Sequence, residues 1–179
     1  MIKRFLILAE QVRNSEQPTI MGEIFSNEEL VDCQFQCFVF SNLTFKNVRF
    51  TNVDFTGSYF FDCNFEDCQM NEITFRKSQF FDSTFKETRI LNSNFMRAEF
   101  EAASFENSQI LKSNLRAADF CNSSFSNISF LESNLDLILV MSVRVWKLEK
   151  WIEIEDLSHF ENILKDIGAI SNDQTIEKF

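Results

Sequence analysis

Residues 73–90 read ITFRKSQFFDSTFKETRI, and an apolar residue stands at every fifth position of this stretch. The same spacing continues without a break from Phe35 to Leu135, over 21 consecutive key positions. Sixteen of these are Phe, and the other five are Met70, Ile90, Ile110, Leu115 and Leu135. A period of five matches neither the 3.6 residues of a helix nor the two residues of a strand. The chain therefore needs a different repeating structure.

A second selective position lies two residues before each key position. Fifteen of the 21 are Ser, Thr, Cys or Ala, and the other six are larger apolar residues. In an extended backbone, residues two apart point to the same side, so both positions face inward. The next small position comes three residues later, so the chain must bend once in every five residues to keep it inside. Repeated bending in one direction predicts a coil whose turns stack as parallel ladders.

The residues that face outward indicate how many sides the coil has. Taken at 20-residue intervals, one outward column alternates in charge: Lys46, Glu66, Lys86, Glu106. Stacked strands lie about 4.8 Å apart, so opposite charges in register stabilise each other. Intervals of 15 residues mix charged and apolar residues in one column. We therefore predict four sides, with two inner columns made entirely of Phe.

This pattern resembles the pentapeptide-repeat family, whose repeat centres on Leu or Phe. The family has Ala, Ser or Cys two residues earlier and Asp or Asn one residue earlier, as in Cys63, Asn64 and Phe65. The resemblance covers 103 of the 179 residues. It implies an all-β solenoid, a right-handed quadrilateral parallel β-helix, here of about five to six coils. The hand agrees with the general preference of parallel crossovers.

Both ends of the coil need a cap, because an open solenoid exposes backbone groups and core rings. Residues 1–19 form the predicted N-terminal capping segment, with inward residues Ile2, Phe5, Leu6, Ala9 and Val12. The β-helix is predicted over 20–135, and its first coil is expected to be imperfect. Residues 136–179 form the predicted C-terminal unit, a hairpin plus helix that caps the rod or docks a partner.

Within the C-terminal unit, the five-residue register is expected to end at Leu135. Apolar runs at 143–146 and 151–154 flank a polar turn and predict a β-hairpin. Ser158 and Glu161 have the spacing of a capping box that opens a helix, and Gly168 is expected to end that helix. The last residues, 169–179, are predicted to be frayed.

Charge and composition exclude several classes of protein. The net charge is −10, but the coil itself carries nine basic and twelve acidic residues. This mixture lacks the basic footprint of direct nucleic-acid binding. No run of 18 apolar residues predicts a membrane span, and the start lacks the long apolar region of a secretory signal. We therefore expect no membrane partner and a cytoplasmic location.

Catalysis and metal binding find little support in the sequence. The one histidine, His159, lies in the first turn of a predicted helix, where a solvated role is expected. Asp62 and Asp82 stack on one corner of the coil, but similar acids occur elsewhere on its surface. A zinc site needs four converging ligands, and no histidine lies near the cysteines. We predict no catalytic residue, no metal, no cofactor and no enzyme activity.

Two outward stripes break the expected polar surface. Stacked apolar side chains at outward positions suggest burial against another surface. For the leucine stripe, the C-terminal unit could fold back along the rod, or a dimer or partner protein could cover it. The candidate partner surface comprises Tyr59, Phe61, Asp62, Phe81, Asp82, Leu91, Leu111 and Leu131.

The sequence therefore predicts a non-enzymatic rigid module for protein–protein interaction, with an unidentified protein partner, a possible homodimer and no assigned pathway. The family resemblance implies an alternative. Some members resemble a DNA duplex in shape and charge, bind type II topoisomerases such as gyrase and protect against quinolones. Those members are longer rods, doubled by dimerisation, and several carry projecting loops. A short, loop-free rod near charge balance favours the first prediction.

Overall fold

The computed structural model describes residues 4–178, which form a four-sided parallel β-solenoid of about six turns between two helices. The helices are α1 (Arg4–Val12) and α2 (Leu157–Asp166). The strands, in chain order, are β1 (Thr19–Met21), β2 (Ile24–Ser26), β3 (Glu29–Gln34), β4 (Val39–Ser41), β5 (Thr44–Lys46), β6 (Arg49–Asp54), β7 (Tyr59–Phe61), β8 (Asn64–Glu66), β9 (Gln69–Asn71), β10 (Gln79–Phe81), β11 (Thr84–Lys86), β12 (Arg89–Leu91), β13 (Glu99–Glu101), β14 (Ser104–Glu106), β15 (Gln109–Leu111), β16 (Ser124–Ser126), β17 (Arg144–Lys147) and β18 (Lys150–Glu153).

Three sides of the coil are sheets, and the fourth is a column of single bridges. Sheet A has the order β1-β4-β7-β10-β13, sheet B the order β18-β17-β16-β14-β11-β8-β5-β2 and sheet C the order β15-β12-β9-β6-β3. Side D includes the bridges from Asp54 to Thr74 and from Thr74 to Asn94. The parallel pairs join residues 20 apart, such as Phe60 with Phe80 on sheet A. This register confirms the predicted four-sided parallel coil.

The chain bends at the second residue after each inward key residue. From Gly22 to Ser142, every fifth residue has a positive φ, between 50° and 69°. Asn, Asp and Gly occupy 14 of these 25 corner positions. These residue types tolerate the left-handed region best, because they lack a large side chain or bond locally to the backbone. Their enrichment identifies the bend that the sequence analysis required but did not place.

The small inward residues do more than leave room for the rings. The Ser78 hydroxyl donates to the carbonyl oxygen of Phe55 at 2.7 Å. The Ser83 hydroxyl donates to the carbonyl of Phe60 at 3.3 Å and accepts the N–H of Cys63 at 3.2 Å. Within residues 4–178, no buried side-chain nitrogen or oxygen lacks a hydrogen-bond partner. Buried hydroxyls therefore join consecutive turns at the corners.

Phenylalanine rings fill the axis in continuous columns. On the inner face of sheet A, the ring centroids of Phe60 and Phe80 lie 4.6 Å apart at an interplanar angle of 8°. The next step, from Phe80 to Phe100, is 5.0 Å at 8°. Rings on adjacent sides meet edge to face, as Phe80 and Phe85 do at 62°. The coil spacing stacks each column, and the favourable edge-to-face geometry joins neighbouring columns.

Helix α1 covers the N-terminal end of the rod. Phe5 is fully buried, and its ring lies edge-on to those of Phe25 and Phe35, each at 5.0 Å. The predicted inward residues of this segment that the structure describes pack on the core: Phe5, Leu6, Ala9 and Val12. Ile2 lies outside the described residues. The first coil has three strands and buried key residues, so it is regular rather than imperfect.

The five-residue register continues beyond Leu135, contrary to the sequence prediction. Val145 is fully buried at a key position, and Leu137 and Ser142 have the positive φ of corner residues. Strand β17 pairs in parallel with β16 and extends sheet B. The aliphatic run that follows Leu135 concealed this continuation, because it is apolar at inward and outward positions alike.

The predicted hairpin is formed by β17 and β18, which pair antiparallel. Its turn residues, Leu148 and Glu149, both have positive φ, as in a two-residue hairpin turn of type I′. Trp146 and Trp151 face each other across the pair with ring centroids 5.3 Å apart. The hairpin therefore forms the C-terminal edge of sheet B.

Helix α2 begins one turn earlier than the capping-box prediction. Its N-cap is Asp156, whose side chain accepts the N–H of His159 at 2.8 Å. Glu161 does not close a capping box with Ser158, because its carboxylate accepts from Lys165 at 2.8 Å. A carboxylate serves as well as a hydroxyl at the N-cap, so the earlier residue takes that role.

The end of α2 and the tail close the rod. Gly168 has φ +68° directly after the C-cap Ile167 and ends the helix as predicted. The segment that follows is not frayed within residues 169–178. The Phe130 N–H donates to the Ala169 carbonyl at 2.7 Å, and the Leu137 N–H donates to the Glu177 carbonyl at 2.8 Å. The tail therefore satisfies backbone groups on the last coil.

Candidate interaction surface

Three aromatic side chains project from the outer face of sheet A and form what we call the aromatic patch: Tyr59, Phe61 and Phe81. The first two flank the buried Phe60 on β7, so the alternation of a strand turns both outward. Tyr59 and Phe61 retain 40% and 37% of their exposure, and Phe81 is half-buried. These are unusually large apolar groups for outward positions on this coil.

The rings of the patch are ordered by the same register that builds the core. Phe61 and Phe81 stack at a centroid distance of 5.1 Å and an angle of 8°. Tyr59 and Phe61 are nearly parallel, with centroids 6.2 Å apart. The backbone beneath them belongs to strands paired on both sides, since β7 lies between β4 and β10. The patch is therefore held on a rigid, flat support near the middle of the rod.

Carboxylates, and no basic residues, accompany the aromatic patch on this face. Asp62 and Asp82 occupy consecutive corners beside it, both exposed and both with positive φ. Glu99 and Glu101 point outward from β13, the next strand after β10. The five strands of sheet A contain no Lys or Arg. The stacked aspartates adjoin the patch and do not form an enclosed catalytic pair.

The leucine stripe (Leu91, Leu111 and Leu131) lies on the opposite side of the coil. Leu91 and Leu111 pair in register on sheet C, and Leu131 continues their column with 42% exposure. The C-terminal unit extends sheet B and packs on the last coil, so Leu131 stays exposed. Leu91 also lines a groove of about 360 Å³ with Arg49 and Arg89. The eight predicted residues therefore form two separate surfaces.

Sorting residues at intervals of 20 also brings together four basic side chains that the sequence analysis did not single out. Arg76 and Lys77 lie at the corner between side D and sheet A, with Arg97 and Arg116 on the following turns. We call these four residues the basic ridge. Their even spacing along the chain was the available signal, but the sequence analysis followed only apolar columns.

The cysteines and the histidine have structural surroundings. Burial raises the pKa of Cys63 to about 12, and the thiol donates to the Phe40 carbonyl at 3.5 Å. Burial likewise raises the pKa of Cys68 to about 12. These thiols are protonated at neutral pH and are poor nucleophiles. The His159 ring accepts the N–H of Glu155 at 3.3 Å and so belongs to the start of α2.

No group of three or more His, Cys, Asp or Glu side chains that could hold a metal ion occurs among residues 4–178. In that part of the chain, no helix is both long enough and apolar enough to cross a membrane. The chemistry that the described surface offers is therefore recognition, by aromatic, aliphatic and charged side chains on a stiff support.

Two protein-family models match the chain. The model described as a pentapeptide repeat region matches residues 58–137, and the model described as pentapeptide repeats in eight copies matches residues 39–76. Together they span most of the coil. No curated protein matches the chain.

Solved structures of the same repeat are similar at low identity. Rfr23, a pentapeptide repeat protein from the cyanobacterium Cyanothece 51142, is 13% identical with a TM-score of 0.32, and the match covers 79% of this chain and 99% of that one. HetL, a pentapeptide repeat protein involved in heterocyst differentiation regulation from Nostoc sp. strain PCC 7120, is 12% identical with a TM-score of 0.27 and coverages of 81% and 72%. A trypsin-treated form of QnrB1, a plasmid-mediated fluoroquinolone resistance protein, is 14% identical with a TM-score of 0.27 and coverages of 84% and 95%.

Proposed function

The chain belongs to the pentapeptide-repeat family, and from this premise we propose that it is a non-enzymatic, rigid module for protein–protein interaction. The observation that supports this proposal is the aromatic patch. Three large rings stand on the outer face of sheet A, where the repeat elsewhere places small or polar residues. Exposed apolar groups of this size are typical of binding surfaces.

The patch has the properties of an energetic centre for binding. Aromatic residues are enriched among the few interface residues that contribute most of the binding free energy. The rings of Phe61 and Phe81 are already stacked, and their backbone is held by pairing on both sides. Little conformational entropy is then lost when a partner covers them, which favours affinity.

The partner is expected to bring apolar side chains to the rings and polar or basic groups to the surrounding carboxylates. Asp62 and Asp82 border the rings on one side, and Glu99 and Glu101 follow on β13. Charge complementarity of this kind improves the rate and specificity of association more than affinity. The leucine stripe faces the opposite direction, so one molecule has room for a second contact.

The alternative, inhibition of a type II topoisomerase by mimicry of DNA, has weaker support. A mimic of the duplex needs a continuous negative surface. Here the acidic face of sheet A is bordered by the four cations of the basic ridge, and Lys46, Lys86 and their column alternate with glutamates on sheet B. A gyrase supercoiling assay with and without a quinolone tests this function, and we expect the protein to have no effect.

The interaction proposal is tested by affinity capture followed by mass spectrometry. The double variant Phe61→Glu with Phe81→Glu places two charges in the patch. Its matched control is Thr51→Glu with Asn71→Glu, two outward residues paired in register on sheet C. Both variants should fold, because all four side chains point outward from the coil.

We expect the wild type and the control variant to retain the same partner and the patch variant to lose it. Purified partner should then bind the patch variant at least about a hundredfold more weakly, as expected when a central aromatic contact is removed. Equal binding by all three proteins would refute the patch as the binding site. Equal loss in both variants would show sensitivity to net charge only.

A further inference from the structure

The basic ridge concentrates positive charge on an otherwise acidic protein. Arg76 and Lys77 lie on one turn, Arg97 on the next and Arg116 on the one after. The Lys77 N–H donates to the Met96 carbonyl at 3.2 Å, and the Arg97 N–H donates to the Arg116 carbonyl at 3.1 Å. These bonds place the turns in direct contact, so the four cations occupy roughly 10 Å of the rod.

The ridge has no neutralising partner among residues 4–178. None of its side chains forms an ion pair, whereas Lys46 and Lys112 each pair with a glutamate one turn away, at 3.4 and 3.6 Å. Three of the ridge side chains are exposed, and that of Arg116 is half-buried. The four charges therefore face solvent together, without an internal counter-charge.

The carboxylates on the neighbouring positions of sheet A are already engaged. Glu99 accepts the side-chain amide of Gln79 at 2.8 Å. Asp119 accepts the N–H of Cys121 at 2.8 Å. These bonds hold both carboxylates along their own face. The guanidinium and ammonium groups of the ridge remain available to a ligand.

We propose that the basic ridge binds an acidic segment of a partner protein, through carboxylate side chains. Guanidinium groups bind carboxylates bidentately, and the ridge offers three of them beside one ammonium group. An extended segment repeats side chains on one face every 6.6 Å or so, so the ridge accommodates two or three carboxylates. This site is independent of the aromatic patch, although both border sheet A.

Nucleic acid fits the surface less well than an acidic protein segment. The whole chain has a net charge of −10, and the coil outside the ridge has five basic and twelve acidic residues. Binding to a duplex neutralises several phosphates along an extended basic surface. Beyond the ridge, a duplex would meet repulsion, whereas a short acidic segment ends before that point.

The test measures fluorescence anisotropy of a labelled peptide of about eight alternating Glu and Ser residues, titrated with the full-length protein at low salt. The ridge variant is Lys77→Glu with Arg97→Glu. Glutamate already occupies equivalent corners with positive φ at Glu72 and Glu87, so the substitutions suit the backbone. The matched control is Arg49→Glu with Arg89→Glu, which changes the net charge equally on sheet C.

We expect the ridge variant to bind the peptide about tenfold more weakly than the wild type, and the control variant to differ by less than about threefold. A peptide of alternating Gln and Ser should not bind, and added salt should weaken the acidic peptide. Three outcomes would overturn the proposal: no binding by the wild type, equal loss in both variants, or tighter binding of a DNA duplex through the same ridge residues.

Discussion

Each five-residue unit gives its residues different tasks. The key residue fills the axis, and the small residue bonds to the backbone of the previous turn. The corner residue adopts a positive φ, and its neighbours face solvent. Ala102 and Ala103 illustrate how sharply these tasks differ, because one is an exposed corner residue with φ +56° and the next is fully buried.

This contrast predicts opposite effects of the same substitution. Ala102→Gly should stabilise the protein by about 0.5 kcal/mol, since the left-handed region costs an L-residue roughly 1–2 kcal/mol and glycine restores part of that through lower backbone strain. Ala103→Gly removes a buried methyl group and should destabilise by about 1 kcal/mol. Urea denaturation of both variants and the wild type measures the difference.

The two alanine variants also serve as each other's control, because they make the same chemical change one residue apart. A loss of stability in both would contradict the assignment of strain to the corner. The sequence predicted that a bend was necessary but not which residue bends. Periodicity constrains the inward side only, and the corner is recognised by Asn, Asp and Gly at a position that also accepts Arg, Lys and Glu.

At the scale of elements, the repeat was predictable and the two ends were less so. The helix, the hairpin and the end at Gly168 follow from local patterns. The docking of the tail does not, because its bonds join the backbones of residues about 40 apart, such as Phe130 with Ala169 and Leu137 with Glu177. No side-chain pattern encodes such contacts.

The start of α2 gives a prediction that separates the observed cap from the predicted one. Asp156→Ala should lower the free energy of unfolding by about 1 kcal/mol, since its carboxylate accepts the His159 N–H. Ser158→Ala should cost less, because its hydroxyl bonds only to the exposed Lys178 side chain. Thermal or urea unfolding compares them, and a larger loss from Ser158→Ala would contradict the observed cap.

For the whole molecule, the 20-residue register predicts which deletions the fold tolerates. Removing residues 79–98 joins Ser78 to Glu99 and keeps every column intact, since these strands repeat at 20 residues. A folded, shorter rod with lower stability should result, because a solenoid's stability sums over units and their interfaces. Circular dichroism and cooperative unfolding measure this outcome.

The matched control deletes residues 79–96, which leaves two extra residues at the junction. These residues break the register of five, so one inward position turns outward or a loop must form. We expect this variant to unfold at lower denaturant concentration than the 20-residue deletion. Equal stability of the two would contradict the register as the basis of the fold.

The candidate surfaces were partly predictable at this scale as well. Columns at intervals of 20 located the aromatic patch and the leucine stripe as outward apolar groups. Their placement on opposite sides, and the collection of four cations at one corner, depend on the path of the chain around the square. Charge totals for a segment average over all four sides, so the near balance of the coil concealed the ridge.

The regular corners give the surface of this protein a numbering of its own. Five residues along the chain turn the outward direction by one quarter of the circumference, and 20 residues raise it by one strand spacing, about 4.8 Å. The remainder of a residue number after division by 20 is therefore its bearing around the rod, and the quotient is its height. An outward side chain from Ile20 to Val145 can be placed or moved on the surface by arithmetic alone.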